Sequence, residues 1–265
     1  MGVDALTDFA TVGAAYSAHS LSARGRLRHD LVARRLLAEL PTGPARVLDV
    51  GCGDGEMTLR LAAAGHQVTA ADPSAEMLAA AARRLRARPD LAPQIRLVEA
   101  GVDSLPFERE RFDGVCCHGV LMYLDDAADA VGRLAGLVAR GGVLSLLTKN
   151  RAATGFREAL RGEYRAARDL IEHGVATSVG NLGLRTRGDT AEALDALAAQ
   201  HGLAPLPWQG VRVFHDHHVD WDPGPEEYVQ ALQTEWAAST RDPYRQLGRL
   251  VHTLARRGAE RRRTA

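Results

Sequence analysis

The sequence predicts an α/β fold in which a mostly parallel sheet is covered by helices on both faces. Three observations carry this expectation. Short Val- and Leu-rich runs alternate with stretches of helical periodicity across residues 45–150, and parallel neighbours need a crossover of that kind. The first run, residues 45–50, is short, apolar and rich in Val and Leu, which suits a strand inside such a sheet. A glycine-dense loop, Gly51-x-Gly53-x-Gly55, separates the first run from the helix-like pattern after it.

The residues before Pro41 read as two amphipathic helices. Residues 45–50 form the first strand; after the loop, Met57, Leu59, Leu61 and Ala62 fall at helix-compatible spacing. Residues 66–72 read as the second strand and 74–88 as a helix with Ser74 as its N-cap. Residues 94–100 and 111–121 are the third and fourth strands, and 125–139 a helix. After Gly141 and Gly142 comes a fifth strand, 143–150. Beyond Asn150 the pattern loosens. Residues 151–173 read as one long helix, 174–188 as a glycine- and threonine-rich loop, 190–200 as a helix and 205–219 as a strand with its exit loop. Residues 226–239 are helical, and 249–257 read as a final antiparallel edge strand in preference to a helix. A single domain, 1–265, is thus divided into N-terminal helices (1–40), a core (45–150), a helical cap (151–201) and a closing segment (202–265).

The 265 residues carry 33 Lys plus Arg and 33 Asp plus Glu, so no global field draws the chain to nucleic acid or membrane. Arginine is concentrated locally, at 24, 26, 28, 34 and 35 and again at 256, 257, 261, 262 and 263. Such runs are ordinarily solvated ends and less often anion sites. Three cysteines, with Cys116 and Cys117 adjacent, cannot build a disulfide framework. There is no signal-peptide layout and no apolar run of membrane-spanning length. A cytoplasmic protein that does not enter the membrane is expected.

Two cofactor classes suit a GxG loop after a first strand. The dinucleotide fingerprint GxGxxG rests a pyrophosphate on the helix N-terminus, but the spacing here is one residue short. Asp49, Asp54 and Glu56 flank or enter the loop, and carboxylates repel a pyrophosphate at close range. They suit a ligand bearing an ammonium and a sulfonium, which points to S-adenosyl-L-methionine. Asp72 ends the second strand, where a carboxylate can accept both ribose hydroxyls, and Met77 follows with an apolar surface for adenine. Cys52 reads as a small filler that lets the backbone approach the ligand, not as a nucleophile.

"VLDVGCGDG", "VTAADPSAEML", "FDGVCCHGVLMYLDD" and "LVARGGVLSLL" resemble the class I S-adenosylmethionine-dependent methyltransferases. The flanks "GRLRHDLV", "LSLLTKN", "GVRVFHD" and "DPYRQLGRLVHTLARR" are similar to the CmoM (SmtA) group, which esterifies the carboxylate of 5-carboxymethoxyuridine at the tRNA wobble position. The resemblance implies a Rossmann-like, seven-stranded sheet of order 3-2-1-4-5-7-6. It also implies residue roles. Arg28 would pair with the methionyl carboxylate, and Gly51 and Cys52 would approach the cofactor through the backbone. Asp72 would hold the ribose, Ala100 or Gly101 would frame the adenine, and His118 would sit beside the methionyl part and the methyl group. Asp49 and Gly53 complete the expected cofactor set. Gly101 stands where many class I enzymes carry an acidic residue, with Asp103 two residues on. Lys149 stands where the tRNA enzymes carry an aromatic.

Methyl transfer from a sulfonium is an in-line displacement, so the enzyme chiefly aligns its reactants. A carboxylate acceptor, with a pKa of about 4, is already ionised at neutral pH and needs no base; an amine or phenol would want one. His118, Tyr123, His215 and Asp216 are the candidate bases, none with a partner evident from sequence. That favours a carboxylate acceptor, held by Arg212 or, second, by Lys149; Tyr123 and His215 complete the candidates for positioning it. The acceptor is then tRNA or a small acid. The run from His215 to His218 lacks the spacing of a zinc signature, and no metal is expected. Asp125, Asp126, Glu226 and Glu227 lie where helices begin and suit the helix dipole.

Overall fold

The computed structural model describes residues 16, 18–107, 112–173, 177–179 and 185–259. The earlier of the two expected N-terminal helices falls largely outside them, as do Arg261, Arg262 and Arg263. The later one is α1 (Ala23–Leu37), whose N-cap Ser22 accepts a hydrogen bond from the Gly25 amide. Then follow β1 (Arg46–Val50), α2 (Glu56–Ala63), β2 (Gln67–Asp72), α3 (Ala75–Arg86), β3 (Ile95–Glu99), β4 (Phe112–His118), α4 (Ala127–Leu137) and β5 (Val138–Lys149). Ser74 caps α3 through the Met77 amide, and Asp126 caps α4 through the amides of Ala128 and Asp129, as their positions led us to expect.

The closing part contains α5 (Phe156–Leu160), α6 (Tyr164–His173), the hairpin β6 (Thr177–Val179) and β7 (Arg185–Arg187), α7 (Ala191–Gln200), β8 (Leu203–Val211), α8 (Pro225–Ser239) and β9 (Leu250–Arg257). The main sheet has seven strands in the order β3-β2-β1-β4-β5-β9-β8. Counting its strands alone, that is the expected 3-2-1-4-5-7-6. All neighbours from β3 to β5 are parallel, and β9 is antiparallel to both β5 and β8. Leu27, Leu31 and Leu36 of α1, with Met57 and Leu61 of α2, cover one face. Val131 and Leu134 of α4, with Leu194 and Ala198 of α7, cover the other.

Four expectations are corrected. The helix expected over 125–139 stops at Leu137, and the next strand begins at Val138 instead of 143. Gly142 lies inside that strand because a Cβ there would come within 2.9 Å of the Asp113 carbonyl oxygen; the β4–β5 register shifts at the same place. The long helix over 151–173 is two, interrupted at Gly162, whose φ of 76° no helix accommodates. The stretch 174–188 carries an antiparallel hairpin within its described part. The last strand is antiparallel but not at the edge: β8 is the edge, and it holds Pro205 and Pro207, which have no N–H to offer a further strand. No helix among the described residues is long and apolar enough to cross a membrane.

Candidate functional site

Four central strands end together, and their carboxyl ends carry the predicted residues. After β1 the chain turns through Gly51, Gly53 and Gly55, all at positive φ (70°, 55° and 81°). Gly51 is demanded by packing as well, since a Cβ would lie 2.1 Å from Val120 Cγ2. The Gly51 and Cys52 amides both donate to the Ala71 carbonyl, at 2.8 and 3.0 Å, which ties the loop to β2. Asp72 braces it from the side: one carboxylate oxygen accepts from Gly53 N and the other from Ser74 N, each at 2.9 Å. Each oxygen keeps a lone pair for a further donor. Burial raises the pKa of Asp72, and those two amides oppose the rise.

Asp49 is buried beneath the loop and accepts from Thr58 Oγ1 at 2.7 Å. Desolvation pushes its pKa up to about 6, against the Thr58 hydrogen bond. Asp54 and Glu56 do not face the loop as free charges, contrary to the sequence reading. Arg84 of α3 pairs with Asp54 at 2.7 Å and also with Glu56, which pairs in turn with Arg60. The acidity left to the loop is that of Asp49 and Asp72. Cys52 is buried and its thiol pKa is raised well above the ordinary range by desolvation, which suits a filler and not a nucleophile.

Arg28 of α1 reaches across to β4, donating from Nη2 to the His118 carbonyl oxygen at 3.0 Å, and its buried Nε has no partner among the described residues. The Arg28 and Tyr123 side chains and Tyr16 lie close enough to perturb one another; burial, with Tyr16 beside it, drives the Tyr123 phenol up to about 12. That phenol stays protonated near neutral pH and is no base. His118 ends β4 and is buried. Met77 and Ala100 are buried on the far side of Asp72, and the Ala100 amide donates to the Asp72 carbonyl at 3.1 Å. A Cβ on Gly101 would come within 2.8 Å of Asp103 Oδ1. The Asp103 carboxylate therefore lies where a side chain at position 101 would begin.

A second group gathers beyond β5 and β8. Arg212 is buried with a φ of 60°, in the left-handed region costly for a residue with a Cβ. Arg212, Arg157 and Arg249 approach the buried Asp216 carboxylate at 3.1, 3.3 and 3.6 Å. Arg24 Nη1 donates to the Asp216 carbonyl at 2.9 Å, and Arg249 also faces Glu158 at 3.6 Å. Lys149 points into the same neighbourhood, 3.2 Å from Thr186 Oγ1. Burial lowers its pKa to about 8, helped by Arg249 and opposed by Glu158. Desolvation brings Arg212 down to about 10 against the attraction of Asp216. Sequence reasoning missed Arg157 and Arg249 and named Asp216 only as one of four candidate bases; Asp216 is the counter-ion, its pKa held below the usual range by Arg212 and Arg249 against desolvation.

His215 is not part of this group. Its Nδ1 lies 2.9 Å from Glu235 Oε1 and its ring packs on Trp221 at 4.4 Å. Buried Glu235 also accepts from the amides of Val213, Phe214 and His215, so the pair holds the exit loop of β8. No group of side chains suited to a metal occurs among the described residues.

The family described as "Methyltransferase domain" matches residues 48–146. Malonyl-[acyl-carrier protein] O-methyltransferase of Enterobacter lignolyticus is 32% identical over 193 residues, 66% of this chain and 73% of that protein. The chain belongs to the class I S-adenosylmethionine-dependent methyltransferases. This methyltransferase is also 27% identical over 243 residues to the tRNA 5-carboxymethoxyuridine methyltransferase of Escherichia coli (strain K12), covering 88% of this chain and 89% of that one. The fold is shared with magnesium protoporphyrin IX methyltransferase from Synechocystis PCC 6803, solved with bound SAH, at a TM-score of 0.56 and 18% identity over 87% of this chain and 81% of that one. It is shared too with a possible histamine N-methyltransferase from Thermotoga maritima, at a TM-score of 0.60 and 15% identity over 95% of this chain and 99% of that one. S-adenosylmethionine is the cofactor, and the residues around the loop fit it: a buried guanidinium nitrogen without a partner among the described residues, a carboxylate with lone pairs to spare and a glycine turn that no Cβ could enter.

Proposed function

We propose that the methyltransferase esterifies a carboxylate, and that the carboxylate is carried by a wobble uridine of tRNA. The observation that carries the first part is the buried cationic group around Asp216. Arg157, Arg212 and Arg249 surround a carboxylate, with Lys149 and Glu158 at the margin. Buried cations in excess of their counter-ions favour an anion entering beside them. The second part is supported by the relative named for a tRNA carboxymethoxyuridine, which pairs with this chain over most of both lengths.

In this reading Arg28 holds the methionyl carboxylate and the Asp72 oxygens take the ribose hydroxyls. Asp49 balances the cofactor's positive charge from below the loop, and Gly51, Cys52 and Gly53 let the backbone approach. Met77, Ala100 and Gly101 bound the adenine, with Asp103 supplying the acidic partner two residues on. Bound S-adenosylmethionine supplies a methyl group on a positively charged sulfur that leaves with the bonding electron pair. The chain aligns the two reactants, with Arg212 and Lys149 orienting the acceptor oxygen. No proton has to be removed from a carboxylate, which agrees with a Tyr123 that stays protonated and a His215 committed to Glu235.

One observation favours a small acid instead of tRNA. Among the described residues, the arginines expected to meet phosphates are largely engaged within the protein. Arg26 and Arg34 stack on Tyr228 and Trp236, Arg256 pairs with Glu39, and Arg257 donates to the Ala135 carbonyl. The test is to incubate the protein with methyl-labelled cofactor and tRNA from cells lacking this enzyme, then digest the tRNA to nucleosides. Label in a single modified uridine, with transfer falling steeply as salt rises, supports the tRNA reading. Label appearing only in small carboxylic acids supplied alongside would replace it.

A further inference from the structure

A line of four buried polar side chains crosses the sheet beneath α1 and ends at His118. Gln209 of β8 donates from Nε2 to the Leu31 carbonyl at 3.3 Å and lies 2.8 Å from His252 Nδ1. His252 Nε2 is 2.8 Å from Ser145 Oγ, which is 2.8 Å from His118 Nε2. All four lie on the sheet face that α1 covers, and His252 and Ser145 are completely buried.

The direction of every hydrogen bond in this line follows from its far end. The Leu31 carbonyl can only accept, so the group facing it must be the Gln209 amide nitrogen. That nitrogen then donates its second hydrogen to His252 Nδ1. A neutral His252 accepting at Nδ1 carries its proton on Nε2 and donates to Ser145 Oγ. The Ser145 hydroxyl oxygen could accept from both rings, but its own hydrogen has no other acceptor among the described residues, so it donates to His118 Nε2. A neutral His118 must then hold its proton on Nδ1. Burial keeps both imidazoles neutral, with His252 brought down to about 3 and His118 well below its ordinary value. Nδ1 of His118 is buried without a partner among the described residues, and it is the ring nitrogen that Ser145 does not engage.

We propose that Gln209, His252 and Ser145 are positioning residues that lock His118 as the Nδ1–H tautomer, so that it offers a hydrogen-bond donor, not a base, to a carboxylate in the site. Two carboxylates are available: that of the cofactor's methionyl part and that of the acceptor. The acceptor alternative rests on the reading under Proposed function; the tautomer does not. The orphaned N–H accounts for a line of three buried polar groups that reaches the site from behind, where no ligand would touch Gln209, His252 or Ser145.

The decisive experiment is nitrogen NMR on the full-length protein labelled with 15N-histidine, which reads the proton position without any substrate. The expected result is a proton on Nδ1 of His118 and on Nε2 of His252, and Ser145→Ala should release His118 to populate both tautomers. A proton on His118 Nε2 in the wild-type protein overturns the proposal. Calorimetry with S-adenosylhomocysteine and methyl-transfer kinetics then identify the carboxylate. Asn at position 118 can place an amide N–H near Nδ1, whereas Gln places it near Nε2. His118→Gln should therefore weaken binding about 10- to 100-fold and His118→Asn restore most of it. Loss in S-adenosylhomocysteine affinity assigns the donor to the cofactor's carboxylate. Loss only in the acceptor's KM, with that affinity intact, assigns it to the acceptor. Unchanged values for both in His118→Gln overturn the proposal even if the tautomer is as stated.

Discussion

Replacing Asp49 with Asn should make the methyltransferase more stable and poorer at holding its cofactor. Asp49 is buried, and desolvation raises its pKa from 3.8 to about 6. Because the folded value lies above the unfolded one, the folded protein holds the proton more tightly. Ionisation therefore costs stability, fully above pH 6 and not at all below pH 3.8. A rise of that size corresponds to about 3 kcal/mol at neutral pH. Asn keeps the shape and can still accept the Thr58 hydroxyl, now without a charge to desolvate. The cofactor-free variant should therefore gain up to about 3 kcal/mol at pH 7.5, on the order of 6–12 °C in Tm for a domain of this size. The gain should shrink steadily on acidification and be gone near pH 4. Urea unfolding across that range reads the stability, and calorimetry reads an affinity for S-adenosylmethionine, which carries both the ammonium and the sulfonium, reduced about tenfold or more. A gain that does not depend on pH would refute the desolvation argument. Unchanged affinity would refute the placing of Asp49 against the cofactor's positive charge.

Gly51→Ala should lower the urea midpoint by the equivalent of about 1–3 kcal/mol and abolish S-adenosylhomocysteine binding, because the new methyl meets Val120 at a residue held at φ 70°. Asp72→Asn should cost about 1–2 kcal/mol and at least tenfold in the same affinity, since an amide NH2 must then face Gly53 N or Ser74 N. Arg212→Gly should relieve about 1 kcal/mol of backbone strain yet raise the acceptor's KM at least tenfold with cofactor affinity unchanged. Lys149 loses its charge as pH rises past about 8. The acceptor's KM should climb above that pH in the wild-type protein and stay flat in Lys149→Met, as a pH series of initial rates would show.

The cofactor loop and its brace were legible because they are local. Strand periodicity, three glycines at alternate positions and Ser74 three residues before Met77 are patterns that neighbouring residues enforce on one another. The sheet order came from the resemblance; residues 249–257 alone left strand and helix both open, with strand preferred. What stayed hidden depends on long-range geometry. Arg84 reaches Asp54 across 30 residues and Arg249 reaches Glu158 across still more, and no spacing rule announces either pair. Nothing in the sequence singles out Arg157, which lies in a stretch that reads as one continuous helix and that Gly162 breaks. Gln209, Ser145 and His252 were invisible for the same reason: three strands must be laid side by side before they line up.

The most direct test of the central claim, esterification of a carboxylate beside the buried guanidinium group, is the fate of the transferred methyl in alkali. Purified protein is incubated with methyl-labelled S-adenosylmethionine and its acceptor, and the isolated product is treated with mild base. The account predicts that the label leaves as methanol, because a methyl ester hydrolyses under those conditions. Label that stays on the product, as an N-methyl or ether O-methyl group would, contradicts it.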